Sequence, residues 1–272
     1  MAFTLSHMAA ALPFYRCQRW MSFEAVLLGS MLPDLPYFLN SPISVSDESH
    51  GWAGLFSYCL PYGLVILILW YGLLKPAAIA VVQPWFPFLI ARGRSHQHFS
   101  QWLKFGVTVV LGLLLGASTH LIWDGITHPD GFIARHVVVL QLPVNSGYFG
   151  TMPLARVLQY GTSLAGLGWV GWFILTQMRN MAFHKTVLED IPIIVLKKWH
   201  SLLIVILMCA GSLFWSLQAM LKWHSLWVTN TYLFLAKLLV GLLQGAASLF
   251  IIYALIYHIL YWFCKQKQYS GR

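Results

Sequence analysis

The chain has 272 residues, of which 58% are hydrophobic and only 9% charged, against about 25% charged in a soluble domain. With a mean hydropathy of +0.68, this composition excludes an ordinary soluble enzyme and predicts an all-α polytopic membrane protein, because several apolar runs approach the ~20 residues that cross a bilayer. The net charge of +9, from 17 basic and 8 acidic side chains, reads as loop topology and attraction to anionic membrane lipids; with no basic face interleaved with aromatics, it argues against nucleic acid as a partner.

Taken in order, residues Met1 to Ala11 lack the basic start, apolar core and small-residue cleavage site of a removable signal peptide. Phe3 to Tyr15 and Ser22 to Leu32 are two short apolar segments, the second with Ser22 as a plausible N-cap and Pro33-Asp34-Leu35-Pro36 as its stop. Neither is long enough to span, so residues 1–39 are expected to form a helical hairpin turning near Arg16 to Arg19. Antiparallel packing would set His7 beside Asp34. Asn40 to Gly51 is a polar, turn-rich stretch holding Asp47, Glu48 and His50 and no lysine or arginine.

Gly54 to Leu74 is the first expected span, closed by Lys75. Pro84 and Pro87 interrupt Pro76 to Ala91, which reads as an interfacial or re-entrant segment, and Arg92 to His98 as a basic headgroup-facing loop. Phe105 to Thr127 is the second span, stopped by the turn signal Pro129-Asp130-Gly131. After a mixed loop from Ile133 to Ala155 come Val157 to Thr176, Ser201 to Leu221 and Tyr232 to Phe263. About five transmembrane helices plus the hairpin thus make a single integral-membrane domain over 1–272, with the site on the core spans of 54–176 and further spans within 200–263. The cysteines Cys17, Cys59, Cys209 and Cys264 are dispersed, without a C-x-x-C pair, and read as isolated thiols.

The second span ends in Thr119-His120-Leu121-Ile122-Trp123-Asp124-Gly125-Ile126-Thr127-His128. On a helix, His120, Asp124 and His128 fall at i, i+4 and i+8 and share one narrow face. A carboxylate within apolar sequence is expensive, and an imidazole one turn away can share a cation with it, as paired helical histidines share zinc. Alternating the spans places eleven basic loop residues, from Lys75, Arg92 and Arg94 to Lys265, Lys267 and Arg272, on one side. Only Arg135, Arg156 and Lys222 lie on the other. The positive-inside rule makes the first side cytoplasmic. His7, Asp34, His50, His120, Asp124 and His128 then converge on the outer side, as six candidate ligands for one or two divalent ions, zinc before manganese, with Asp34 or Asp124 as ligand or general base. Arg135 and Arg156 are candidates to hold an anionic substrate group. Tyr37, Trp123, Gln159 and Tyr160 either line the site or pack the core, and Gly161 to Ala165 only partly echoes a nucleophile elbow, so Ser163 is given a packing role.

The stretches Phe3 to His7, Gly29 to Phe38, Thr119 to Gly131 and Leu158 to Ser163 resemble the signatures of an uncharacterised bacterial integral-membrane family (domain of unknown function four-one-eight-four). The chain is more distantly similar to LexA-binding inner-membrane proteins described as metal-dependent hydrolases, which share an early histidine, a Pro-Asp pair and a later His-x3-Asp helix. The resemblance implies motif positions at His7, Asp34, His120, Asp124 and His128; at His50 the relatives usually have His-Ser or His-Arg where this chain has His50-Gly51. Residues and resemblance together lead to the expectation of a membrane-embedded metal-dependent hydrolase in the bacterial cytoplasmic membrane. Its site would face outward, towards a lipid or lipid-linked ester or phosphoester. The alternatives are a proton-coupled carrier using the His/Asp cluster and a non-catalytic protein with a structural metal.

Overall fold

The computed structural model describes residues 4–86, 99–147, 150–184, 194 and 196–270. The expected loop from Arg92 to His98, with His96 and His98, lies outside them. The described chain is helical almost throughout, as its apolar runs predict. Its longer helices are α1 (Phe23–Gly29), α2 (Ile43–Ser49), α3 (Leu55–Val82), α4 (Phe99–Thr127), α5 (Leu154–His184), α6 (Lys198–Lys222) and α7 (Thr231–Ser270). One small antiparallel pair, β1 (Pro143–Asn145) with β2 (Thr151–Pro153), lies within the stretch read as mixed loop, in register Val144 to Met152.

Among the described residues, four helices are long and apolar enough to cross a membrane: α3, Ser100–Thr127 of α4, α6, and Leu233–Cys264 of α7. Only 6% of the apolar window of α6 is buried within the protein, so most of its side chains need lipid around them. The expected span from Val157 to Thr176 is helical within α5, but Gln159, Gly161, Thr162 and Ser163 dilute it, and α5 is not among the four.

Lys75 does not end the first span. The helix continues through Pro76 to Val82, because the turn before the proline widens: Trp70–Leu74 is π-helical, and the Lys75 N–H donates to the Trp70 carbonyl. The wider turn relieves the clash and missing hydrogen bond that proline brings to an α-helix. The same device precedes Pro61, where Leu55–Cys59 is π-helical.

The chain divides into two compact units, Met1–Val65 with His96–Gln177, and Ile66–Ser95 with Met178–Arg272. In the second, α6 packs on α7 through small residues. A Cβ added at Gly245 would lie 2.8 Å from the Ser212 Cα, so the two backbones run nearly in contact. Ala77, Ala80, Ala254 and Tyr257 form a buried cluster there. The Ser201 hydroxyl donates to the Val81 carbonyl (2.5 Å) and accepts from the Trp85 indole (2.8 Å).

The first unit is built on α1 against α4. The Ser22 side chain caps α1 by accepting from the Ala25 N–H (3.4 Å), as expected of an N-cap serine, and the Ser22 N–H donates to the Thr108 carbonyl (2.9 Å). Gly112 and Gly116 of α4 meet Ala25 and Gly29 of α1. A Cβ on Gly116 would lie 2.7 Å from the Ser30 nitrogen and 2.9 Å from the Gly29 Cα. Only hydrogen side chains permit this approach. The segment from Thr4 to Cys17 consists of short helical pieces of one or two turns and buries Ala9 and Leu12 against Val170 of α5.

A candidate metal centre at the end of α4

The last two turns of α4 present His120 and Asp124 on one face, with His128 just beyond, as the four-residue spacing requires. His120 Nε2 lies 3.3 Å from Asp124 Oδ2, and His128 Nδ1 lies 3.4 Å from Asp124 Oδ1. The helix stops where Pro129-Asp130-Gly131 turns: the Gly131 N–H donates to the His128 carbonyl (2.9 Å) and the Ile133 N–H to the Gly125 carbonyl (3.1 Å).

Two other parts of the same unit bring the remaining candidates to this face. The first turns of the chain reach this face: the Thr4 hydroxyl donates to Asp34 Oδ2 at 2.6 Å, and His7 Nε2 reaches Asp124 Oδ1 at 3.4 Å. Asp34 stands in the short turn Leu32–Asp34, set by Pro33. The stretch read as polar and turn-rich contains α2, tied to that turn because the Ser49 hydroxyl donates to the Pro33 carbonyl (2.7 Å). His50, immediately after α2, lies with Nε2 3.5 Å from Asp34 Oδ1 and 4.0 Å from Asp124 Oδ2. All six candidates thus come together. His7, Asp34 and His120 form one group whose donor atoms could share an ion, and His50, His120 and Asp124 another.

The hydrogen bonds behind the cluster decide which nitrogens face it. His120 Nδ1 lies 2.8 Å from the Ser30 carbonyl, and His50 Nδ1 lies 2.9 Å from the Ser46 carbonyl. A carbonyl only accepts, so each Nδ1 carries the hydrogen. In the neutral ring, Nε2 then directs a lone pair at carboxylate oxygens, an arrangement that repels unless a cation stands between. Full protonation is the other resolution, but charge-assisted N–H···O bonds run about 2.7–2.9 Å, shorter than any of the six imidazole–carboxylate separations of 3.3–4.0 Å. Those separations suit two ligands of one ion: bonds of about 2.0–2.1 Å in tetrahedral geometry put neighbouring donors about 3.3 Å apart. His7 Nδ1 and Nε2, His120 Nε2, His128 Nδ1 and Asp124 Oδ1 are buried without a hydrogen-bond partner, which is costly for polar atoms with nothing to bind.

His128 is held from behind by Gln159 of α5, whose amide lies 2.8 Å from His128 Nε2 while its other amide atom, Oε1, is buried and unpartnered. Turned by half a rotation, the amide accepts the Nε2 hydrogen, and Nδ1 keeps its lone pair for the cluster. Burial, followed by the nearby His120, lowers the His7 pKa to about 3, and burial likewise lowers that of His128. Both shifts favour the neutral ring, the form that ligates metal. Burial would raise the Asp34 pKa, but the surrounding imidazoles of His120, His50 and His7 and the Thr4 hydrogen bond outweigh it and hold the carboxyl below its ordinary value.

The His7 and His120 rings stack at 3.8 Å, with Trp123 edge-on to His7 at 5.9 Å. His7 and His120 have no exposed side-chain surface and Asp34 only 4%, whereas Asp124, His128 and His50 expose 17%, 21% and 24%. The cluster is closed behind and opens along the His50, Asp124 and His128 side. Tyr37 lies beside that side, 5.6 Å from the His50 ring. Arg135 is exposed in the turn Ala134–His136, and Arg156 is half-buried on α5; among the described residues no ion pair joins either to the cluster. The Ser163 hydroxyl is buried and donates to the Gln159 carbonyl (2.6 Å), within its own helix. The supporting groups Thr4, Ser30, Ser46 and Ser49 are ordinary small polar residues, with no spacing that marks them in sequence.

This fold and cluster define an all-α, polytopic integral-membrane protein with a buried His/Asp group able to hold a metal ion. Over residues 1–258 the chain matches the model of a domain of unknown function, DUF4184, and it belongs to that family. No curated protein and no solved structure matches it.

Proposed function

We propose that the protein is a metal-dependent hydrolase of the bacterial cytoplasmic membrane, its site opening at the outer face onto a lipid or lipid-linked ester or phosphoester. The observation that carries this reading is the set of imidazole lone pairs fixed against two carboxylates by hydrogen bonds to the Ser30 and Ser46 carbonyls. A purely structural ion would be served by a closed set of ligands; here one side of the cluster is open. When bound, a divalent ion, zinc or manganese, would lower the pKa of a coordinated water and polarise a phosphoryl or acyl oxygen.

The residues divide the work. His7, His50, His120 and His128 supply neutral nitrogens, and Asp34 and Asp124 supply charge. Thr4 holds one Asp34 oxygen, so Asp34 serves as ligand in preference to general base. Arg135 and Arg156, on the side poor in basic residues, would attract the anionic part of a substrate. The position of Asp124 near the end of an apolar span supports a site at headgroup depth, and the distribution of basic loop residues supports the outward orientation.

The test is metal content of the purified, detergent-solubilised protein, followed by hydrolysis of phosphoester and ester lipids with and without chelator. Stoichiometric metal with chelator-sensitive turnover supports the reading. Metal without turnover on either class favours a structural ion, and absence of metal in protein never exposed to chelator moves the weight to the carrier.

A further inference from the structure

We infer that the cluster holds two metal ions bridged by the Asp124 carboxylate. This rests on the metal-dependent reading above and deepens it. The two oxygens of Asp124 face different partners. Oδ1 meets His7 Nε2 and His128 Nδ1, each at 3.4 Å. Oδ2 meets His120 Nε2 at 3.3 Å and His50 Nε2 at 4.0 Å. A single ion chelated by both oxygens would gather all four imidazoles around it, but they sort into two pairs, one to each oxygen.

Within 4.0 Å Asp34 meets only one of these pairs, with His7 further off in the same group. Its Oδ1 lies 3.5 Å from His50 Nε2 and 3.8 Å from His120 Nε2, while its Oδ2 is taken by the Thr4 hydroxyl. Asp34 is thus a terminal ligand, and Asp124 the only carboxylate of the cluster with both oxygens turned to imidazoles. One ion would take His50, His120, Asp34 and Asp124, four ligands, the number that fills a structural site. The other takes His7, His128 and Asp124, three ligands with a fourth position free, the pattern of a catalytic ion. The free position belongs to the ion beside His128, on the open side of the cluster.

The experiment is titration of the metal-stripped, full-length protein in detergent with manganese, read by elemental mass spectrometry and electron paramagnetic resonance. The expected result is two ions per chain with an exchange-coupled spectrum. His128→Ala and His50→Ala, both at partly exposed positions, should each leave about one ion with the six-line spectrum of isolated manganese. One ion per wild-type chain, two ions without coupling, or a His128→Ala variant still holding a coupled pair would each overturn the bridge while leaving a metal site standing. No ion at all would overturn the metal reading itself.

Discussion

The Ser30 carbonyl, at the end of α1, accepts the Nδ1 hydrogen of His120 across 90 residues of sequence at 2.8 Å. The bond has this length because α1 and α4 touch at Gly29 and Gly116. A side chain at Gly116 would collide with the Val26 carbonyl and the Ser30 nitrogen. Backbone cannot step aside as a flexible side chain can, so Gly116→Val should separate the helices. Overpacking of this kind costs about 1–3 kcal/mol. The expected outcome is a lower unfolding temperature in detergent together with reduced metal content, Gly116→Ala being milder in both. Full metal retention in a destabilised Gly116→Val protein would dissociate the helix contact from the site.

Thr4 offers a gentler perturbation. Its hydroxyl orients Asp34 from behind, and removing such a supporting group typically weakens metal binding about 10–100-fold. Thr4→Ala should shift a competitive chelator titration by that factor with little change in fold, and Thr4→Ser should restore the wild-type curve. Equal affinities for all three proteins would leave Asp34 without need of its partner.

The sequence carried the candidate ligands further than their supports. His120, Asp124 and His128 declare themselves by a four-residue spacing that any helix converts to one face, and a hairpin over residues 1–39 is the reading that sets His7 near Asp34. His50 was placed by charge bookkeeping, but the helix α2 that delivers it was not expected, because Ser, Asp and Glu in a short segment read equally well as a turn. Lys75 reads as the end of the first span, whereas the turn before Pro76 widens to admit the proline and the helix runs on to Val82. Nor does any pattern within one segment reveal that the Ser30 and Ser46 carbonyls fix the tautomers, since that depends on how separate segments pack.

Gln159 tests the tautomer argument directly. If its amide oxygen accepts the Nε2 hydrogen of His128, a carboxylate at the same position will do so at least as well, whereas a methyl will not. Gln159→Glu should therefore keep metal affinity, and Gln159→Ala should lower it about tenfold, by the same competitive titration. The opposite order would mean that the amide donates to His128 Nε2, which leaves the hydrogen on Nδ1 and removes His128 from the ligand set.

Metal removal should be visible as stability. An ion that binds only the folded chain stabilises it by RT ln(1 + [L]/Kd), about 2.7 kcal/mol when free metal is a hundredfold above Kd. Stripping the wild-type protein should lower its unfolding temperature, and returning zinc or manganese should restore it. Asp124→Ala removes the carboxylate that meets all four imidazoles, so its unfolding temperature should respond to neither chelator nor added metal. His224→Ala is the control. Its Nδ1 is hydrogen-bonded to the Leu221 carbonyl at the exposed end of α6, and the chelator response of that variant should match the wild type. If Asp124→Ala and wild type shift equally on stripping, the stabilising ion sits elsewhere and the His/Asp cluster is not its site.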